Sequence, residues 1–469
     1  MTSQPMLHPD RLLPADPQTR AIARDLLAGI VDLPLVCPHG HVPIEWFEAD
    51  YRFPDPAELL IRPDHYVLRM FASQGFSYDQ LGVSGGEPAV DARTAFRTFA
   101  THYDLFLGTP SRSWIDHALY ENLGVTEELN ENSADRVFDH IDAQLARPEF
   151  TPRALFTTMG IELLATTDSA VDDLARHAAL AADPSFAGRI IPTFRPDSVT
   201  DPDHVAFAAD IRKLSDLTGE NIATWSGYLS ALRNRRAVFA AHGATATDHG
   251  FATAQTANLD PATCQTLLDA ALSGTATPDQ AARFRAQMLT EMARMSAEDG
   301  MVMQIHAGSS RNHAPVIQST YGLDKGFDMP TATNWTVALK PLLDQLGFAP
   351  NLRILLFTLD ETTYARELAP MAGAYPVLRL GAPWWFFDSP AGMARYFDQV
   401  VETAGFANLA GFVDDTRALM SIPARHNVWR RATAGHLARM VAEHQLTMAQ
   451  AARLAEDLSV TLARRAYKL

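Results

Sequence analysis

A distorted (β/α)8 barrel, with a large helical insertion after its first strand and a helical C-terminal tail, is the fold the sequence predicts. Three observations predict it. Short apolar runs recur eight times, most of them continuous rather than alternating, as strands buried on both faces of a parallel sheet are. Helical patterns separate several of the runs. Most runs also end in polar or glycine-rich segments, and in such a barrel the C-terminal strand ends gather at one mouth.

The runs come in order. Leu33–Cys37 precedes Pro38-His39-Gly40-His41, and Glu162–Thr166 precedes Thr167-Asp168-Ser169. Arg189–Phe194 leads to Arg195-Pro196-Asp197, and Ala237–Ala241 leads to His242-Gly243. Met301–Ile305 leads to His306-Ala307-Gly308, and Arg353–Leu359 to Asp360-Glu361. Pro376–Leu380 leads to Gly381-Ala382-Pro383, and Leu409–Val413 to Asp414-Asp415-Thr416-Arg417. Ala206–Leu217, Pro261–Leu272 and Gln280–Ala297 have helical spacing and composition. Between the first two runs, helices are expected over Asp55–Leu60, Val90–Phe106, Trp114–Leu123 and Ala134–Ala146. The predicted organisation is a first segment with the first strand (1–43), a helical insertion (44–160), the rest of the barrel (161–417) and C-terminal helices (418–469). Ala244–Asp260, rich in Ala and Thr, is the nearest thing to a flexible loop.

A chain of 469 residues suits one large barrel with insertions. Its 47% hydrophobic and 20% charged content is globular, which argues against disorder. A net charge of −16 argues against nucleic acid or an anionic membrane surface as partner. A small anionic substrate would need a local cluster of arginines. Two cysteines, Cys37 and Cys264, make no disulfide framework and suit a reducing compartment. The N-terminus lacks a signal-peptide pattern, and no apolar run approaches the roughly 20 residues of a membrane helix. A soluble cytoplasmic protein is expected, with a homo-oligomer left open.

His39 and His41 sit two apart after the first strand, where an extended backbone points both side chains to one side. Two imidazoles so placed can share a divalent metal. The spacing alone is weak: with 16 His in the chain, roughly half a His-x-His pair is expected by chance. Asp415 strengthens it, because strands one and eight are neighbours in a closed barrel and a carboxylate completes such a ligand set. Asp414 competes for that place. His306, after the fifth run, is a further ligand or a hydrogen-bonding group. Arg195, Arg311 and Arg417 each follow a strand end, and their guanidiniums bind carboxylates in a two-pronged fashion. Tyr66, in Asp64-His65-Tyr66, and Asp248 are ambiguous from pattern alone. Trp384-Trp385-Phe386 reads as wall, and Cys37 as buried without a base partner.

Taken together, these segments resemble uronate isomerase (glucuronate isomerase), a divergent family of the amidohydrolase superfamily. The resemblance rests on His39-Gly40-His41, Asp64-His65-Tyr66, Ile191-Pro192-Thr193-Phe194-Arg195-Pro196-Asp197, Thr247-Asp248-His249-Gly250, Gln304-Ile305-His306-Ala307-Gly308 with Arg311-Asn312, Trp384-Trp385-Phe386, and Asp415-Thr416-Arg417 before Arg425-His426. It spans nearly the whole chain, in order. It implies a distorted barrel that interconverts D-glucuronate with D-fructuronate and D-galacturonate with D-tagaturonate. It implies metal ligands at His39, His41 and Asp415, and substrate-lining positions at Tyr66, Arg195, Asp248, His306, Arg311 and Arg417. His65 and Trp384 are expected to face the substrate as well. Two departures suggest a divergent branch: His-Gly-His where many relatives have His-Cys-His, and Ser421-Ile422-Pro423-Ala424-Arg425-His426 around its proline.

The chemistry expected is proton transfer between C1 and C2 through an enediol. Asp415, or water on the metal, moves the carbon proton. Tyr66 and His306 handle protons on oxygen, Arg417 helps stabilise the oxyanion, and Arg311 with Arg195 holds the uronate carboxylate. One divalent ion is expected, zinc first, with manganese, iron or cobalt open. A metal-dependent hydrolase and a non-catalytic sugar-acid-binding protein are the alternatives. The three arginines argue against a hydrolase of neutral substrates.

Overall fold

The computed structural model describes residues 6–469. Strands one, two and three, Leu35–Cys37, Ile161–Ala165 and Arg189–Ile191, are parallel neighbours. The chains of strands two and three continue as the short pair Asp168–Ser169 and Phe194–Arg195. From there the parallel sheet runs on through Ala246–His249, Val302–Ala307, Ile354–Thr358 and Leu378–Leu380. The eighth segment, 409–413, meets Leu380 in a single parallel bridge at Leu409. The His41 N–H donates to the Thr416 carbonyl at 3.0 Å, which joins the last position to the first. The order is that of a (β/α)8 barrel, and the loose closure at strands seven, eight and one is its distortion.

Strands five and six are buried along their whole length, which is why their sequences read as unbroken apolar runs apart from Gln304, His306 and Thr358. Their register sets Phe357 beside His306. Tyr467, third from the end of the sequence, is fully buried and donates from its hydroxyl to Gln304 Oε1 at 2.7 Å, so the C-terminal helix Leu462–Tyr467 is pinned to strand five.

The fourth strand lies elsewhere than expected. Ala237–Ala241 is the last turn of a 17-residue helix, Trp225–Ala241. Thr224 caps it by accepting from the Gly227 N–H, and Tyr228, Leu232, Arg235 and Phe239 recur along it at three- and four-residue steps, all buried. A five-residue apolar run cannot by itself distinguish a strand from such a turn. The strand is Ala246–His249, in the segment expected to be loop-like. Its residues read as polar because Thr247, Asp248 and His249 are buried in hydrogen-bonded positions.

Between strands one and two lie the helices Pro56–Leu60, His65–Ser73, Ala92–Thr101, Pro110–His117, Ala134–Leu145 and Pro152–Thr158. Asp55, Asp64, Asp91, Thr109 and Thr151 each cap one by accepting from a first-turn N–H. Two predicted helices change character at their ends: Tyr103–Phe106 is a 3-10 turn and Ala118–Asn122 a π-turn. The region has its own core, with Phe71, Phe96, Phe99 and Phe106 fully buried, and it extends onto Leu35, Ile161 and Leu164 of the barrel. Ser421–Ala442, with Met448–Glu456 and Leu462–Tyr467, forms the C-terminal helices. No helix among the described residues is long and apolar enough to cross a membrane.

Candidate active site

The strand ends and the helix His65–Ser73 enclose a cavity of about 380 Å³. The side chains given a site role from the sequence line it, whereas Asp414 and Cys37 do not.

His39 and His41 follow strand one, and Asp415 follows the eighth segment. His39 Nε2 and His41 Nε2 lie 3.4 and 3.2 Å from the same oxygen, Asp415 Oδ1. Their ligand atoms all fall within 4.8 Å of one another. Two imidazole nitrogens and a carboxylate oxygen are a normal donor set for a divalent cation, and the rings stand nearly perpendicular at 83°, so both nitrogens converge without the rings stacking. His39 Nδ1 is buried without a hydrogen-bond partner. Burial alone would raise the Asp415 carboxyl, but His39 and then His41 hold it well below the carboxylate range. Burial pushes His41 down to about 4, so it is a neutral imidazole at neutral pH. Asp415 has φ of 42°, a left-handed conformation that aspartate and asparagine tolerate better than most residues.

Asp414, the competing candidate, points away. It is buried and lies 3.5 Å from His426 Nε2 through its Oδ2. Cys37 Sγ is 3.7 Å from the same nitrogen. The expectation that Cys37 has no base nearby is thereby corrected: helix Ser421–Ala442 brings His426 against it, a contact 389 residues away in sequence. Burial first, and Asp414 second, push the thiol well above its usual range, so it stays protonated.

His306 ends strand five. Its Nδ1 meets Asp248 Oδ1 at 2.6 Å, and its ring is stacked between His39 and Phe357 at 4.6 and 4.2 Å. Its Nε2 is buried with no partner. A carboxylate at Nδ1 selects the tautomer with the proton there, leaving Nε2 as an acceptor. Asp248 Oδ2 in turn lies 3.3 Å from Arg195 Nη1. Burial would raise the Asp248 carboxyl, but His306 and Arg195 hold it well below its ordinary value. His39, Asp248 and His306 form a second convergent group sharing His39.

The three arginines meet at the mouth, and each already has a carboxylate partner. Arg195 Nε donates to Asp197 Oδ2 at 3.0 Å, Arg311 Nη1 to Asp328 Oδ2 at 3.0 Å, and Arg417 Nη2 to Asp324 Oδ2 at 2.9 Å. Asp197 was marked in the sequence only as part of the Arg195-Pro196-Asp197 segment, without a role, and Asp324 and Asp328 were not identified, because acidic loop residues carry no spacing signal. Gly250 brings two arginines together: its N–H donates to Asp197 and its carbonyl accepts from Arg311 Nε. A Cβ there would lie 2.4 Å from Arg195 Nη2 and 2.9 Å from Arg311 Nη2.

Tyr66 lies in the first turn of the helix His65–Ser73, which Asp64 caps by accepting from the Tyr66 N–H. Its ring stands edge-on to Trp114 at 5.2 Å. Its hydroxyl donates to Asp388 Oδ2 at 2.7 Å, and Arg425 Nη1 donates to the same oxygen at 2.7 Å. Burial, then Asp388, push the phenol well above its ordinary value. His65 stacks on Tyr66 and leans on Trp385, and burial drives it down to about 3. Trp384 packs edge-on to His306 at 4.8 Å, under the Arg311 guanidinium. Asp388 is a further residue the sequence did not bring out, although it follows the Trp384-Trp385-Phe386 landmark closely.

Comparisons with known proteins agree along the full chain. Residues 18–467 match a family described as glucuronate isomerase. A protein from Rhizorhabdus wittichii named uronate isomerase is 54% identical over 470 residues, covering all of both chains. One of the same name from Rhizobium meliloti is 52% identical over 467 residues, 99% of each. The crystal structure of glucuronate isomerase from Caulobacter crescentus superposes with a TM-score of 0.97 at 49% identity, covering 98% of this chain and 97% of that one.

Proposed function

We propose a division of labour in the site on the premise that the chain belongs to the uronate isomerase (glucuronate isomerase) family. It is an aldose–ketose isomerase acting on uronates. In our reading the substrate pairs are D-glucuronate with D-fructuronate and D-galacturonate with D-tagaturonate.

His39, His41 and Asp415 would hold one divalent ion, zinc before manganese, iron or cobalt; the shared approach to Asp415 Oδ1 supports this. When bound, such an ion supplies positive charge to oxygens of the substrate. Asp415 moves the proton between C2 and C1, its carboxylate kept ionised beside two imidazoles. His306 Nε2, free while Asp248 occupies Nδ1, exchanges a proton with a sugar oxygen. Tyr66 does the same at another oxygen. Each such group is worth on the order of 10²–10⁴-fold in rate. Arg311 and Arg195 hold the substrate carboxylate, with Asp248 fixing Arg195. Arg417 faces the oxyanion, and oriented charge there is often the larger contribution. Arg417 must first give up Asp324, and a pair this exposed is worth only about 0–1 kcal/mol. His65 and Trp384 wall the sugar. A reducing cytoplasm suits the two unpaired, buried cysteines.

The observation that carries this reading is the convergence of His39, His41 and Asp415 in the same cavity as three arginines. The test is incubation with D-glucuronate and D-galacturonate in heavy water, before and after exhaustive chelation. Ketose should form, and deuterium at the carbon that receives the proton would measure how far Asp415 exchanges that proton with solvent in transit. Chelation should remove most turnover, and added zinc or manganese should restore it. No ketose from either sugar acid would defeat the substrate assignment. Turnover unaffected by demonstrated metal removal would defeat the metal's role.

A further inference from the structure

Asp388 is 7% exposed and sits after strand seven, just ahead of helix Pro390–Ala404. Its Oδ2 accepts from both Tyr66 Oη and Arg425 Nη1 at 2.7 Å, while its Oδ1 is buried with no partner. Arg425, 4% exposed, lies over the Trp114 ring at 3.7 Å and also donates to the Asp414 carbonyl at 3.2 Å. This ion pair is costly to bury. Desolvating two charges takes several kcal/mol per ion, and a pair with an unsatisfied oxygen recovers less of it than an apolar replacement would. Stability therefore does not account for it.

We propose that Asp388, held by Arg425, is the positioning residue and proton partner of Tyr66. The Tyr66 hydroxyl spends its hydrogen on Asp388, so what it presents to the cavity is its oxygen lone pairs. As a substrate hydroxyl gives its proton to Tyr66 Oη, the phenolic proton passes to Asp388 Oδ2, and both return in the reverse step. No net charge leaves the site, and the phenol never has to exist as a bare phenolate. The Arg425 bond to the Asp414 carbonyl ties this relay to the backbone beside Asp415, so the groups acting on carbon and on oxygen share one frame. Burial, opposed by Arg425, raises the Asp388 carboxyl, which suits a group that takes a proton transiently.

The inference rests on the reading of Tyr66 as a proton-handling group, and a double-mutant cycle separates the two. Y66F and D388N are each expected to lower kcat about 10²-fold, with KM changed less than about threefold. The double variant should be no slower than Y66F, because residues in one relay are non-additive. D388E should recover part of the loss. If Y66F leaves kcat intact, the role of Tyr66 falls and this inference with it. If Y66F is slow but D388N costs the same factor in the wild-type and Y66F backgrounds, Tyr66 keeps its role and Asp388 is only structural. Should D388N fail to fold, the same cycle is run with D388E, whose effect should vanish in the Y66F background; an equal effect in both overturns the proposal.

Discussion

At the scale of single residues, the sharpest prediction concerns Asp415. Asparagine keeps its size and tolerates its φ of 42°, so D415N removes charge while sparing the backbone. We expect turnover to fall at least about 10²-fold while the melting temperature stays close to that of the parent. Near-normal turnover would remove both roles assigned to the residue. Gly250 gives a second. Its α-hydrogen faces two guanidiniums, and a methyl in its place would collide with Arg195 and Arg311. G250A should therefore raise KM for the uronate at least about tenfold, which is 1.4 kcal/mol of lost binding, with a smaller effect on kcat. A KM unchanged within twofold would mean that neither arginine meets the carboxylate. Residues of this kind were readable to different degrees. His39, His41 and Asp415 follow strand ends, so position in the barrel made them visible. Tyr66 was no more than one helix residue among many until the resemblance singled it out. Asp388 and Asp324 stayed hidden, since a lone acidic residue in a loop acquires meaning only through what folds against it.

At the scale of elements, apolar runs located strands wherever both faces of the strand are packed, as in Ile354–Thr358. They failed at strand four, where Thr247, Asp248 and His249 turn hydrogen-bonding groups into the interior and erase the apolar signature. The eighth segment shows a different limit. Its sequence is strand-like, but Gly411 has φ of 79°, which breaks extended geometry two residues after the Leu409 bridge. A Cβ on Gly411 would also lie 2.6 Å from the Ala463 backbone nitrogen in helix Leu462–Tyr467. The glycine thus serves both the bend and the close seating of the last helix. G411A should destabilise the protein by about 1–3 kcal/mol, from strain at positive φ and from displacement of packed backbone. The urea midpoint would report it. A loss below about 0.5 kcal/mol, the range of ordinary surface changes, would mean that the helix can shift freely.

At the scale of the whole molecule, net charge told little about the site, because its arginines are balanced by carboxylates a few ångströms away. What is global is the set of histidines that the fold keeps neutral. His117, His249 and His436 are each pushed by burial down to about 4 from an ordinary 6.5. They lie in different parts of the molecule: beside Arg11, beneath the barrel mouth against Thr247, and stacked on Phe397 at 4.9 Å. The unfolded chain takes up protons at these positions near pH 6.5 while the folded chain refuses them until about 4. Their stabilising contribution is therefore complete above 6.5 and lost as pH falls towards 4. His177 behaves likewise, but its neighbour Asp168 has the opposite sign. Burial raises that carboxyl to about 7, so it favours the folded state as pH drops, and the two offset each other across the shared Thr166 hydroxyl. The remaining three set the slope together with His41 and His65, which burial likewise holds neutral. Urea midpoints should fall steadily between pH 6.5 and 4.5, before ordinary surface carboxylates are protonated. H436F, which keeps a ring against Phe397 and has nothing to protonate, should flatten part of that slope and leave stability at pH 7.5 within about 1 kcal/mol. A midpoint that holds level or rises across this interval would mean that the buried imidazoles find water or a carboxylate as they charge, and that the fold does not enforce their neutrality.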